Sequence, residues 1–311
     1  MSQAHDLGTT ERERHVALAP AVFVTGKGGV GKTLVAAGLA AAAAEADGRA
    51  VLVEFGDGEG GRRALGRLGH DVTHIVLDPV QAVSRAAAPV LGSRRLAKLV
   101  LDNFAIRPLV RAAPAIRELA LLEVARQVMN EHPGQRVVFD MPASGHSVAW
   151  LKIARQVRDA TREGPVHDLC AKLEDELLSP GRASIVVVTL PERLVLSETL
   201  LLCDTIENEI GLPVDRLVVN RVPAALPNRA LTEAFRLSAR RGPTAEAAEK
   251  LASCLRVRTT VREQVMESLQ ATVDGHADST RGDKGLTLLP LAPREPTAAT
   301  VAAWLREEGA A

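Results

Sequence analysis

Short apolar, largely β-branched runs alternate along this chain with longer stretches whose apolar positions recur every three or four residues. Runs of the first kind suit strands buried on both faces, and those of the second suit amphipathic helices. Their alternation predicts an α/β fold, a doubly wound and mostly parallel sheet. Strands are expected over 22–25, 50–54, 136–140, 184–189, 216–220 and 286–289, with a weaker candidate over 72–77. Helices are expected over 34–46, 147–162, 195–210, about 244–272, and 297–308.

Two regions exceed the minimal strand–helix repeat. Residues 81–131 carry helical stripes such as Leu96, Leu99, Val100 and then Ile116, Leu119, Leu122. Residues 164–178 add Val166, Leu169, Cys170, Leu173 and Leu177, with charges opposite. The pattern predicts a helical insertion over 81–131 and additional helices within 147–178. It leaves open whether these helices form a lid or client-binding subdomain or only extend the core. Residues 1–15 are polar and mixed in charge, and a flexible segment over 1–19 is expected ahead of one domain over 20–311.

The candidate chemistry begins at the end of the first strand. Gly26-Lys27-Gly28-Gly29-Val30-Gly31-Lys32-Thr33 fits G-x-x-x-x-G-K-[ST], followed by Leu34 and an Ala-rich helix. That strand–loop–helix setting is the one in which the motif cradles the phosphates of a nucleotide. Glycines let successive backbone N–H groups face the phosphates, and the new helix adds the positive end of its dipole. Lys32 is placed to reach the β/γ-phosphates and the Thr33 hydroxyl to take a position on Mg²⁺. ATP and Mg²⁺ are therefore the expected ligands. Asp140, closing the apolar strand 136–140, is the candidate second carboxylate at the metal.

Composition narrows the field by exclusion. Thirty-eight basic residues balance thirty-eight acidic ones across 311 residues, so no global charge draws the chain to nucleic acid or anionic lipid. There is no apolar N-terminal leader and no integral membrane segment, which points to the cytoplasm. Cys170, Cys203 and Cys254 are far apart and have no C-x-x-C spacing.

The second lysine, Lys27, makes the loop resemble the variant phosphate loop of dimeric ATPases that include nitrogenase iron protein, MinD/ParA, the arsenite-pump ATPases and the tail-anchored-protein-targeting (Get/TRC) ATPases. Asp140-Met-Pro-Ala-Ser-Gly-His146 is similar to the second switch of the arsenite-pump and Get/TRC group, with the proline one position early. Val187-Val-Thr-Leu-Pro-Glu192 with Glu198-Thr199, and Pro114-Ala-Ile-Arg-Glu-Leu119, also look like segments of that group. The long insertion favours it over MinD and ParA. The resemblance implies that Lys27 crosses a dimer interface to the partner's phosphates. It implies that Asp57 positions or deprotonates the attacking water, although glycines and Glu59 replace the usual Asp-Pro-Ala-His and leave Glu54 and Glu59 as alternatives. It further implies that Asn220 and the segment around Pro290 line the adenine.

The function expected on these grounds is an ATP-binding and ATP-hydrolysing dimeric switch, a homodimer or a heterodimer with a paralogous ATPase. Its protein client could be a hydrophobic membrane-protein segment held by residues such as Leu99, Phe104, Ile106 and Leu109. The alternative is a slow ATP-binding regulatory subunit. No thiol site for arsenite is visible.

Overall fold

The computed structural model describes residues 18–66, 71–87, 114–142, 144–223, 228–239, 243–274 and 285–307. Seven strands, β1 (Ala21–Gly26), β2 (Ala50–Phe55), β3 (Val72–Leu77), β4 (Arg136–Asp140), β5 (Ala183–Thr189), β6 (Val214–Val222) and β7 (Gly285–Pro290), form one sheet. Its order is β3-β2-β4-β1-β5-β6-β7, and every pairing is parallel. The strand over 72–77, the weakest in the sequence, is an edge strand. It is half-buried where the central strands are fully buried, so its apolar signal is diluted.

Alternate residues of each central strand feed two cores. Phe23, Val51, Val53, Val137, Phe139, Ile185 and Val187 face one side. They meet α4 (Pro114–Glu131), α5 (Ser144–Ala160) and α6 (Pro165–Glu176), named with α1 (Lys32–Asp47), α2 (Glu59–Leu65) and α3 (Pro79–Ala87) preceding them. Phe23 stacks on Phe139 at 4.8 Å between ring centroids, and Trp150 of α5 sets its edge against Phe23 and Phe55. Val22, Val24, Leu52, Val138, Val186 and Val188 face the other side, against α1 and the C-terminal helix α10 (Ala298–Glu307).

Helix α1 is rich in alanine because it lies between the sheet and α10. A Cβ on Gly38 would stand 2.4 Å from Val301 Cγ1, so only the smallest residue admits α10 this closely. Three further helices lie among the described residues: α7 (Arg193–Thr205), ending in a π-helical turn over Ile206–Ile210, α8 (Asn228–Ser238) and α9 (Pro243–Asp274).

Most predicted elements appear within a few residues of their expected bounds. The helix expected over 195–210 is α7 plus its π-turn, and the one expected from 147 begins at Ser144. Helices α2 and α8 have no counterpart among the elements read from the sequence. Of the insertion over 81–131, the described parts are α3 and α4. Leu122, Val124, Ala125 and Val128 of α4 are fully buried in the sheet core. Cys170, Leu173 and Leu177 are fully buried too, while Ile116 and Val166 of the same stripes are exposed. Residues Leu99, Phe104, Ile106 and Leu109 and the segment 1–17 lie outside the described residues. No helix of the described chain is long and apolar enough to cross a membrane.

Candidate nucleotide site

The sheet order changes direction beside β1, and a crevice at the carboxyl ends of strands at such a switch point is where open α/β sheets bind ligands. The loop Lys27–Gly31 opens there and leads directly into α1. Gly26 enters the loop with φ +146°, and a Cβ on it would lie 2.1 Å from the Val188 carbonyl oxygen of β5. Gly29 and Gly31 have φ of +82° and +96°. Gly28 and Gly29 have nothing within 4 Å of where a Cβ would stand. The backbone is thus open to an approaching anion at the centre of the loop and tightly packed at its root.

Lys32 folds back over the loop, its ammonium donating to the Lys27 carbonyl at 3.0 Å. Burial pushes its pKa down, and Asp140 opposes that in part. Thr33 donates its hydroxyl to Asp140 Oδ2 at 2.6 Å. Asp140 is buried, its Oδ1 has no hydrogen-bond partner, and its pKa is pushed up to about 6. Burial is the main cause, with the Glu54 charge adding to it, while the Thr33 bond and Lys32 pull the other way. An orphaned buried carboxylate oxygen beside a hydroxyl suits a hard cation with oxygen ligands. Among the described residues no three His, Cys, Asp or Glu side chains gather as a metal cage. Mg²⁺ is usually held by one or two carboxylates together with phosphates and water.

The titration of Asp140 makes a prediction about the metal-free protein. Its folded pKa lies above its ordinary value, so its contribution to stability is full below about pH 4 and is lost as pH rises through 6. The rise from the ordinary carboxylate value corresponds to about 3 kcal/mol. Asp140→Asn, which does not titrate, should gain thermal stability over the wild type between pH 5 and pH 8. Paired melting curves at the two pH values check this, and a difference that does not grow would contradict the assignment.

Lys27 reaches across the site to pair with Glu198 of α7, with both side chains nearly half exposed. Asp57 is exposed, and its Oδ1 accepts the Glu59 N–H at 3.0 Å at the start of α2. Asn220 is buried; its Nδ2 donates to the Val30 carbonyl at 2.9 Å and its Oδ1 accepts the Arg221 N–H at 2.9 Å. Both ends of its amide therefore brace the loop and the end of β6. Pro290 closes β7 in register with Val222, beside that turn. Leu34 is partly buried behind the loop, and Val30 is fully buried. Ser144, Gly145 and His146 begin α5, but their side chains lie outside the described residues.

Two features of the site were not foreseen. Glu54 Oε2 accepts the Gly61 N–H at 2.8 Å and faces His74 Nε2 at 3.0 Å. Cβ atoms on Gly58, Gly60 and Gly61 would collide with Val76, with Glu54 and Thr33, and with Glu54 and His74. The run of glycines thus meets a requirement for close packing. A lone histidine in a weakly alternating strand carried no signal of this contact.

The fold and the loop define a P-loop nucleotide hydrolase. Residues 21–265 match the CobQ/CobB/MinD/ParA nucleotide-binding domain, and the chain belongs to that family. It is similar to ATPase BagA of Mycobacterium tuberculosis (strain H37Rv), at 30% identity over 239 residues, 68% of each chain. It has the same identity and coverage with Mb3704 of Mycobacterium bovis, also designated an ATPase. The chain is an ATPase.

Proposed function

We propose that this ATPase is a nucleotide-driven dimeric switch of the arsenite-pump and Get/TRC kind, which binds or releases a protein client as it opens and closes. The observation that carries the reading is the placement of two lysines on one loop in different roles. Lys32 is drawn into the loop, while Lys27 stands at its rim on a single exposed ion pair to Glu198. An exposed pair of this kind contributes little stability, about 0–1 kcal/mol, so Lys27 can exchange Glu198 for a phosphate of a partner's nucleotide at small cost.

In this reading the loop N–H groups and Lys32 hold the β/γ-phosphates, and Thr33 and Asp140 hold Mg²⁺, which supplies charge neutralisation to the phosphates. Asp57 orients the attacking water, and Asn220 and Pro290 border the adenine. Phosphoryl transfer asks mainly for such positioning and charge. The client is a protein, with a hydrophobic membrane-protein segment as the leading class. The compartment proposed is the cytoplasm.

Light scattering of the purified protein in Mg-ATP and in Mg-ADP tests the switch. We expect dimers with ATP for wild type and for Asp57→Asn, and the latter should hold them longer. Lys27→Ala should still bind ATP but remain monomeric and lose hydrolysis by about 100-fold, as loss of a charge on the transferring phosphoryl group does. A Lys27→Ala protein that dimerises and turns over normally would remove the basis of the dimeric reading.

A further inference from the structure

The buried pair at the edge of the nucleotide site has no part in the scheme above. Glu54, next to last in β2, lies directly opposite Asp140 in the β2–β4 register, so two carboxylates stand side by side at the carboxyl edge of the sheet. Parallel pairing sets Leu52 opposite His74 and Glu54 opposite Val76, which puts His74 and Val76 on the face of β3 that Glu54 shares. The Glu54 carboxylate is divided between two tasks. Its Oε2 takes the Gly61 N–H of α2 at 2.8 Å and the His74 ring at 3.0 Å. Its Oε1 is turned toward Gly60 and Thr33, since a Cβ on Gly60 would stand 2.9 Å from Oε1 and 3.0 Å from Thr33 Cγ2.

Gly58, Gly60 and Gly61 are thereby packed closely, and Gly60 lies beside Thr33. Val76 closes on Gly58, while Glu54 and His74 close on Gly60 and Gly61. A carboxylate this buried, beside a second carboxylate, carries a desolvation cost that an apolar residue would avoid. Its geometry offers a return for that cost in position, because it ties Gly61 of α2, β2 and the edge strand β3 at one atom.

We propose that Glu54 and His74 form a positioning pair that clamps residues 56–61 beside Thr33 at the Thr33–Asp140 corner, with His74 acting through Glu54 rather than on the nucleotide. The proposal rests on the ATPase reading for its effect on turnover, but the clamp itself is a property of the free chain. Releasing it lets residues 56–61 lift away, which misplaces Asp57 and the Gly60 and Gly61 backbone relative to the phosphates. A displacement of about 1 Å in such a site can slow chemistry on the order of 100-fold.

The test compares His74→Leu, which keeps bulk without a donor, with His74→Gln, whose amide can donate to Glu54. Backbone hydrogen exchange of the nucleotide-free protein is read over residues 56–66, and Mg-ATP hydrolysis is read as separate kcat and KM. We expect exchange over 56–66 to accelerate about tenfold in His74→Leu, as loss of a hydrogen bond to a charged group implies. Exchange in β1, β4 and β5 should stay at wild-type rates. kcat should fall about tenfold or more with KM within about twofold, and His74→Gln should recover most of both effects. Unchanged exchange over 56–66 in His74→Leu would overturn the clamp whatever the activity. Acceleration spread through the central strands would make the pair a merely structural one and overturn it equally. Absence of hydrolysis by the wild type would defeat the turnover reading alone, while the exchange comparison would still decide the clamp.

Discussion

Lys32→Ala should abolish ATP hydrolysis, by about 100-fold or more, while leaving the fold intact. The ammonium is partly desolvated, which pushes its pKa down, and its one hydrogen bond among the described residues is to the Lys27 carbonyl. It therefore contributes little to the stability of the nucleotide-free protein. Its removal spares a desolvation cost and also removes a favourable charge beside Asp140, so the net change in melting temperature should be small. With phosphates present the balance reverses, because the anion restores what burial takes away and the partly dry site magnifies the attraction. Equilibrium titration with a fluorescent ATP analogue, paired with melting curves, separates the two effects. A variant that melts as wild type and fails to bind would match this account. Near-normal affinity would mean that the loop N–H groups carry phosphate binding without the lysine.

How much of this site was readable in advance depends on how local its physics is. The loop from Gly26 to Thr33 was legible because the motif, the preceding strand and the following helix are contiguous and each needs particular residues. Asp140 was legible because an acid at the end of an apolar strand stands out. Most strands were legible because central parallel strands are continuous apolar runs. The edge strand β3 was faint, since its exposed face dilutes the pattern. Helix α2 was missed because its glycines and short length defeat propensity. The Glu54–His74 contact spans twenty positions and two strands, and only the register of β2 against β3 creates it. The same holds for Lys27 and Glu198, which are 171 residues apart. Asn220 shows a further limit: its place at the end of an apolar strand was clear, but its grip on the Val30 carbonyl depends on how β6 meets the loop.

Gly26→Ala should be the most damaging single methyl addition at the phosphate loop, and it should act on folding. Gly26 is paired with Val188 in the β1–β5 register at the centre of the sheet. Its φ of +146° is a conformation that a side chain disfavours by about 1–3 kcal/mol. The added Cβ would meet the Val188 carbonyl oxygen at 2.1 Å, and that atom belongs to backbone in a fully buried strand. Relief requires β1 and β5 to part or the loop to rotate, and overpacking of this sort costs about 1–3 kcal/mol more. The sum is a large fraction of the roughly 5–15 kcal/mol by which a domain is stable. The expected result is a melting temperature lowered by roughly 10 °C, or protein recovered only as aggregate. Gly28→Ala is the matched control, because nothing lies within 4 Å of its added Cβ and its φ is not in the left-handed range. It should fold with wild-type stability. Equal melting temperatures for the two variants would show that β1 and β5 can separate at Gly26. In that case the glycine there would answer to the nucleotide, and the close approach to Val188 would not be what requires it.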